Sequence, residues 1–307
     1  MLGLDSSHTV LDNIKQRAYV SEIPIPKSIC IPHYVTSMIP LRNRSLDEVL
    51  MGFEKSKRKF VNKAASRFLL KQVTNIKDLA RLNHEMLMPY ASARHEENVV
   101  QLSLEHIMGM AFDYGQLHLL LENGLEVGCL IGHESIRRNK RCWLLYREGF
   151  PDFIFNDNPN YREKHIIIIY LQLEWALRNG FDYYDMAENP AFADAGAAHY
   201  KRTFGAQLST TSNYNYFYFR LPKKIAAQFY WGKPVFAVEG KAVVLHLGLP
   251  DGIGVDEVAR RYKLLNYGGL SKVYLHCDSA PSSKHKEAVV NVYSYQKSPP
   301  ALKVCQL

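Results

Sequence analysis

The sequence has no apolar run long enough to cross a membrane; the longest, 166–171, is far short of the ~20 residues a spanning helix needs. Its opening, MLGLDSSHTVLDNIKQRAYV, carries acids early and has no apolar core of signal-peptide length, so no secretory route is encoded and a cytoplasmic protein is expected. Cysteine is sparse. Cys30, Cys129, Cys142, Cys277 and Cys305 are an odd number without C-x-x-C spacing, which argues against a disulfide framework or a zinc knuckle. Twelve histidines include no H-E-x-x-H, and His133-Glu134 and His95-Glu96 lack ligand spacing, so no metal is expected. Internal repeats and low-complexity tracts are also absent.

What is there is a chain of 307 residues, 47% hydrophobic, 22% charged and 12% aromatic, enough for one large or two modest globular domains. The formal charge of +8 is unevenly placed. Residues 41–71 hold nine Lys or Arg against Asp47, Glu48 and Glu54, a net of +6. Such a field concentrates anionic partners, whether a phosphate-bearing cofactor, RNA or a membrane surface; the plainer reading is a solvated helix face.

Along the chain, IPIPKSICIPHY reads as an extended lead-in, because proline fixes its own φ and restrains the residue before it. Ser45 and Glu48 form the S-x-x-E of a capping box opening a helix through Phe53 and Phe60 to Ala65. A strand over 68–73, a helix from near Asn75 to near Pro89 and a third over 102–112 follow. From Gln116 the pattern becomes QLHLLLE, VGCLIGHES and CWLLYRE with turns at Gly124 and RRNKR, an antiparallel meander. Tyr161 to Asn179 is helical by its apolar spacing and stops at Gly180. The strand FDYYDMA, a short helix over 199–204 and the aromatic strand NYNYFYFRL come next, the last expected to pack in a sheet. Pro222 with Lys223-Lys224 marks a boundary, followed by a hairpin over 235–249, a helix over 255–266, the strand KVYLHCD and an end, SPPALKVCQL, expected to fray. The organisation expected is a lead-in over 1–44, a main domain over 45–221 and a small α/β unit over 222–307.

Gly180 ending a helix, Asp185 with a small residue closing a strand, Tyr200-Lys201 and Phe204-Gly205 stand in an order that resembles the GNAT superfamily of acyltransferases, closest to its Fem-type peptidyltransferase (FemAB) branch and the CelD-like acetyltransferases. The likeness covers about 45–220 and extends to the basic KSKRKFVNKAASR helix. It implies an α/β (α+β) fold with a mixed, largely antiparallel twisted sheet flanked by helices. It also implies transfer of an acyl or aminoacyl group to a small-molecule or peptide amine. The carrier implied is acyl-CoA, acyl-carrier protein or aminoacyl-tRNA, used as co-substrate with no tightly bound cofactor.

Aminolysis of an ester or thioester passes through an oxyanion, and one aimed donor lowers that barrier by about 3 kcal/mol. The resemblance assigns this task to Lys201. Tyr200 stands where the branch has Phe, and its phenol adds a donor for the leaving group. Asp185, Glu188 and Glu148 close strands, where a carboxylate can take the amine's proton; Asp185 equally suits a turn cap. No Gly-rich phosphate loop precedes the central helix, and Asn160, Arg162 and Lys164 occupy its place. Positive charge in a helix's first turn is disfavoured by the dipole, which favours a binding role for Arg162 and Lys164. Tyr90 and Arg94 are the expected acceptor contacts. The alternative reading is a non-catalytic module holding RNA or an acidic partner on its basic helix. A metal-dependent hydrolase built on His133 and Glu134 has little support.

Overall fold

The computed structural model describes residues 19–21, 28–95, 102–210 and 215–306. Much of the expected lead-in, 1–18 and 22–27, lies outside them, as do Glu96 and Tyr214. The chain divides into two compact units, one taking Ile39–Ala187 and the other Glu188–Leu307 with the described part of Ser7–Met38. The division falls inside two strands and differs from the expected boundary at Pro222. The residues after Pro222 share a unit with residues 188–221 and with the described part of Ser7–Met38.

First in the chain are strands β1 (Tyr19–Ser21), β2 (Ile29–Pro32) and β3 (Tyr34–Pro40). The first unit then opens with helix α1 (Leu46–Leu50), whose capping box is complete: Ser45 Oγ accepts from Glu48 N and the Glu48 carboxylate from Ser45 N. The single helix expected to Ala65 is instead two. A turn over 51–54 separates α1 from α2 (Lys55–Ala64), because Gly52 and buried Phe53 break the helical run. Strand β4 (Phe68–Val73) and helix α3 (Ile76–Leu82) follow. The helix does not end at Pro89 but passes through a π-helical turn, Asn83–Leu87, into α4 (Met88–His95). Pro89 sits in the first turn of α4, where a proline costs least. Helix α5 (Leu104–Met108) runs into a second π turn, Gly109–Asp113.

The meander forms as expected: β5 (Gly115–Glu122), β6 (Leu125–Arg137) and β7 (Lys140–Gly149). The short helix α6 (Asp152–Phe155) and the long helix α7 (Asn158–Arg178) lead to β8 (Tyr183–Pro190). In this unit the sheet order is β4-β5-β6-β7-β8, antiparallel except for the parallel β7–β8 pair. Helices flank it, which is the mixed, largely antiparallel architecture expected.

Each strand face has a covering. Leu117, Leu119, Cys129 and Ile131 pack against Leu79, Leu82, Met86, Leu87 and Ile107. On the other face lies α7, where Gln172 accepts from Trp143 Nε1 (2.7 Å) and its amide meets His118 Nδ1 (2.6 Å). Since the Gln172 oxygen is spent on Trp143, its NH2 donates to Nδ1 and His118 carries its proton on Nε2. Burial pushes the His118 imidazole down to about 4, so it stays neutral. Helix α7 ends in a Schellman motif, with Gly180 N on Leu177 O and Phe181 N on Ala176 O. Gly180 is required there, at φ +71. The chain therefore turns straight into β8 beside β7.

The second unit contains α8 (Gly196–Arg202), β9 (Gln207–Ser209), β10 (Tyr216–Arg220) and α9 (Lys223–Gly232). Then come β11 (Val235–Glu239), β12 (Ala242–Leu249), α10 (Val255–Lys263), β13 (Leu270–Cys277), α11 (Ser283–Tyr293) and β14 (Ala301–Gln306). β1 and β2 flank β10 antiparallel, and β9 pairs with β3 over Thr36–Met38. In the β11-β12-β13-β14 sheet the first pair is antiparallel and the other two are parallel. Pro222 is the N-cap of α9, which Ala226, Ala227 and Tyr230 anchor by burial. The expected frayed end is a strand: Leu302 and Val304 alternate with Ala301 and Lys303 and pack on the unit's core.

Gly149 couples the sheet to α4. A Cβ on it would stand 2.7 Å from Leu87 N and Met86 C, so only glycine lets the π turn sit against β7. Gly149→Ala is expected to cost about 1–3 kcal/mol of folding stability by overpacking, measured by urea unfolding; an unchanged midpoint contradicts this contact.

Candidate functional site

Strands β7 and β8 pair at Cys142↔Tyr183, Trp143↔Tyr184 and Leu144↔Asp185, and no later residue of β8 pairs with β7, although β7 runs on to Gly149. Two features part them. On β6, Ile131 faces Arg147 and Gly132 faces Leu145, so Tyr146 is an extra, bulged residue that bends β7. On β8, Ala187 takes the left-handed region at φ +65. Asp185 holds that turn, with Oδ1 accepting from Ala187 N (2.9 Å) and Oδ2 paired to Arg137 Nη2 (2.9 Å). The carboxylate is wholly buried. Asp185 is therefore engaged as the turn-capping, charge-paired residue of the fork, in place of the expected proton acceptor.

At the far end of β7, Glu148 gathers a polar cluster. Tyr90 Oη donates to its Oε1 (2.8 Å), His165 Nε2 meets Oε2 (2.6 Å) and Arg94 Nη1 lies 3.7 Å from Oε1. Arg94 Nη1 also donates to Tyr90 Oη (2.5 Å) and Tyr161 Oη (2.6 Å), and the two hydroxyls are 2.6 Å apart. Because the Tyr90 proton points at Glu148, Tyr161 donates to Tyr90, and the chain of donors runs from Arg94 through both phenols to the carboxylate. Phe150 and Phe155 contact the Tyr90 ring edge-on, closing the apolar side. Burial pushes the Glu148 carboxyl up, but the His165 imidazole that bonds it, the Tyr90 hydroxyl and Arg94 outweigh it and hold it below its ordinary value. Burial and the neighbouring Glu148 charge push the Tyr161 phenol up to about 12, and the same two causes raise Tyr90. At neutral pH the cluster is one carboxylate anion fed by neutral phenols and a guanidinium.

Tyr90 and Arg94, expected as acceptor contacts, thus meet Glu148, together with Tyr161 and His165, which sequence reasoning missed. A signal was present: residues 161 and 165 are one helical turn apart and share a face. The first-turn residues of α7 divide. Lys164 is buried, with Nζ 2.7 Å from Glu122 and over the Phe68 ring, so its charge is spent on that ion pair and the expected phosphate contact does not fit. Arg162 is exposed and Asn160 half-buried. Lys57 of α2 is pushed down by burial, opposed by Glu54, and then by the like charge of Arg162. The two cations therefore stand near each other at the start of α7, where helical N–H groups also favour an anion.

In the second unit, Lys201 is half-buried on α8 and its ammonium donates to Glu188 O (2.9 Å). Tyr200 packs edge-on against Phe204 (5.1 Å). The Glu188 carboxylate adds to burial in raising the Tyr34 phenol. Elsewhere, Glu134 forms a two-pronged pair with Arg141 (2.8 and 3.0 Å), and among the described residues no group of three potential ligands could hold a metal ion.

The lowered Glu148 carboxyl has a signed consequence. Its stabilisation is complete above its unfolded value near 4.5 and is lost as pH falls through the lower folded one. Glu148→Gln is expected to cost about 2 kcal/mol at neutral pH, with the gap to the native protein closing in acid. A gap that persists unchanged at low pH contradicts the charge assignment.

No protein-family model and no curated protein matches this chain. Among solved structures it is similar to FemX, at a TM-score of 0.46 and 12% identity over 74% of this chain and 72% of that one. It is similar also to L-PGS from Bacillus licheniformis (0.44, 10% identity, 63% of this chain and 62% of that). The C-terminal domain of a putative lysylphosphatidylglycerol synthetase from Agrobacterium fabrum gives 0.44 at 11% identity, over 62% of this chain and 61% of that. The chain thus spans about three fifths of each of the last two. None of these likenesses reaches a level from which membership of a family follows.

Proposed function

We propose that the protein is an acyltransferase of the GNAT type, which moves an acyl or aminoacyl group from an activated carrier to the nitrogen of a small-molecule or peptide amine. The observation that supports this most is the β7–β8 fork. A parallel pair that opens after three residues leaves an edge of β7 on which an extended, amide-bearing arm can add like a strand. The pantetheine arm shared by acyl-CoA and acyl-carrier protein has that chemistry. Aminoacyl-tRNA is the other donor the family uses.

The bulge supplies the second part. The bulge interrupts the β6–β7 ladder at Tyr146, and this reading assigns the Tyr146 N–H as the donor to a carbonyl oxygen placed in the fork. The amine nitrogen bonds to the carbonyl carbon as the carbon–sulfur or carbon–oxygen bond breaks, and the amine's proton ends on the leaving group. The Glu148 carboxylate and the Arg94 guanidinium offer opposite charges to polar groups of the acceptor that flank its neutral amine. Arg162, Asn160 and Lys57 at the start of α7 suit the carrier's phosphates. Lys201 remains the cation that the resemblance assigns to the oxyanion, with Tyr200 and Glu188 in supporting roles. A cytoplasmic setting fits such carriers, and among the described residues no helix is long and apolar enough to cross a membrane. The second reading, an RNA-binding or acid-binding module, is favoured by the exposed Lys55, Lys59 and Lys63 of α2.

Mass spectrometry of the protein with acetyl-CoA, longer acyl-CoAs and aminoacyl-tRNA in turn is expected to show consumption of one donor. Salt-dependent tRNA binding with no donor consumed would favour the binding module. Tyr146→Pro, which removes the backbone donor, is expected to lower turnover about 10²–10³-fold, while Tyr146→Phe keeps most of it. Lys201→Ala is expected to fold and lose turnover to a similar degree; native turnover in Lys201→Ala removes that lysine from the mechanism.

A further inference from the structure

Tyr184 is the second of the three β8 residues paired with β7, just before the strands part. Its register partner is Trp143, so the two side chains rise on one face of the sheet, and Trp143 bonded to Gln172 identifies that face as the one under α7. Glu148 is the register partner of Leu130 and bonds His165 of α7, which puts it on the same face, at the open end of the fork. Tyr184 is 0% exposed, and its hydroxyl has no hydrogen-bond partner among the described residues. Burial, then the charges of Glu148 and Asp185, raise this phenol, so it is a donor at any working pH.

A buried hydroxyl without a partner is costly, and native proteins rarely keep one without use. Phenylalanine would fill the same space without that cost. Of the chemistry a neutral phenol can offer here, donation to a neutral oxygen on an incoming molecule fits best, because the nearby carboxylates are already bonded. Glu148 is held by Tyr90 and His165, and Asp185 by Arg137 and Ala187 N.

We propose that the Tyr184 hydroxyl is a substrate-binding donor at the closed end of the fork, where it bonds a carbonyl oxygen of the acyl donor's carrier arm or acyl group. This rests on the acyltransferase reading and adds a residue of the first unit that neither the resemblance nor the sequence pattern singled out. The hydroxyl and the bulged Tyr146 N–H then hold the donor from different strands, one from β8 and one from β7.

Tyr184→Phe in the full chain, with acetyl-CoA as the probe, tests this. The melting temperature is expected to stay or rise, since the variant loses only an unpaired buried group. Calorimetric affinity for acetyl-CoA, or turnover if acetyl-CoA is consumed, is expected to fall about 10–100-fold. Unchanged affinity and turnover overturn the inference, as does a clear drop in melting temperature, which would mean that the hydroxyl is bonded within the fold. Failure of the native protein to bind acetyl-CoA overturns it as well. The two readings fail separately. Native transfer with an unaffected Tyr184→Phe removes this residue but leaves the acyltransferase. Acetyl-CoA binding weakened by Tyr184→Phe, with no transfer to any amine, removes the reaction but leaves the site.

Discussion

Two parallel strands that start in register must either stay paired or find another use for the hydrogen-bonding groups they release. In this protein β7 and β8 stay together for three residue pairs and then separate. The cause is local on both sides. The extra residue Tyr146 bends β7, and Ala187, held in a left-handed conformation by the Asp185 side chain, turns β8. A backbone residue other than glycine at positive φ persists only where its surroundings over-determine it. The buried Arg137–Asp185 pair provides that constraint, because a carboxylate with no exposure is tolerable only while its partner remains.

The chemistry of the site follows from the face onto which each strand sends its side chains. The bulge shifts the alternation of β7 by one, so Trp143 and Glu148, an odd number of residues apart, both lie under α7. The sheet thus presents an indole fixed by an amide at one end and an ionised carboxylate at the other. Gly149, one residue on, faces the opposite layer and admits the π turn that sets α4, and with it Tyr90 and Arg94, beside Glu148. A single unregistered residue accounts for this arrangement.

Much of the sheet was legible in the sequence. The meander, the strand over 68–73, the capping box at Ser45 and the glycine stop after α7 each carry a short-range signal, whether alternation, a polar cap or a positive φ. What was not legible depends on contacts distant in sequence. Lys164 has the charge and the place of a phosphate ligand, but Glu122 on a strand far away in the chain claims it. Asp185 was open between base and turn cap, and only the approach of Arg137 and Ala187 N decides for the cap. The SPPALKVCQL end was expected to fray as a terminus, yet Leu302 and Val304 find a hydrophobic core that sequence alone does not locate. Tyr184, in the middle of an aromatic run, gives no hint that its hydroxyl lacks a partner.

The fork matters to function only if a molecule enters it, and backbone amide exchange reports that without any assumption about turnover. Hydrogen–deuterium exchange over Leu144–Gly149, with and without acetyl-CoA, is the most direct measurement. Entry of the donor along β7 slows exchange at Leu145–Arg147, while the paired segment Cys142–Leu144 is little changed. Exchange at Leu145–Arg147 that is identical with and without acetyl-CoA, at concentrations where the compound is bound, would show that the opening between β7 and β8 is not where the donor lies.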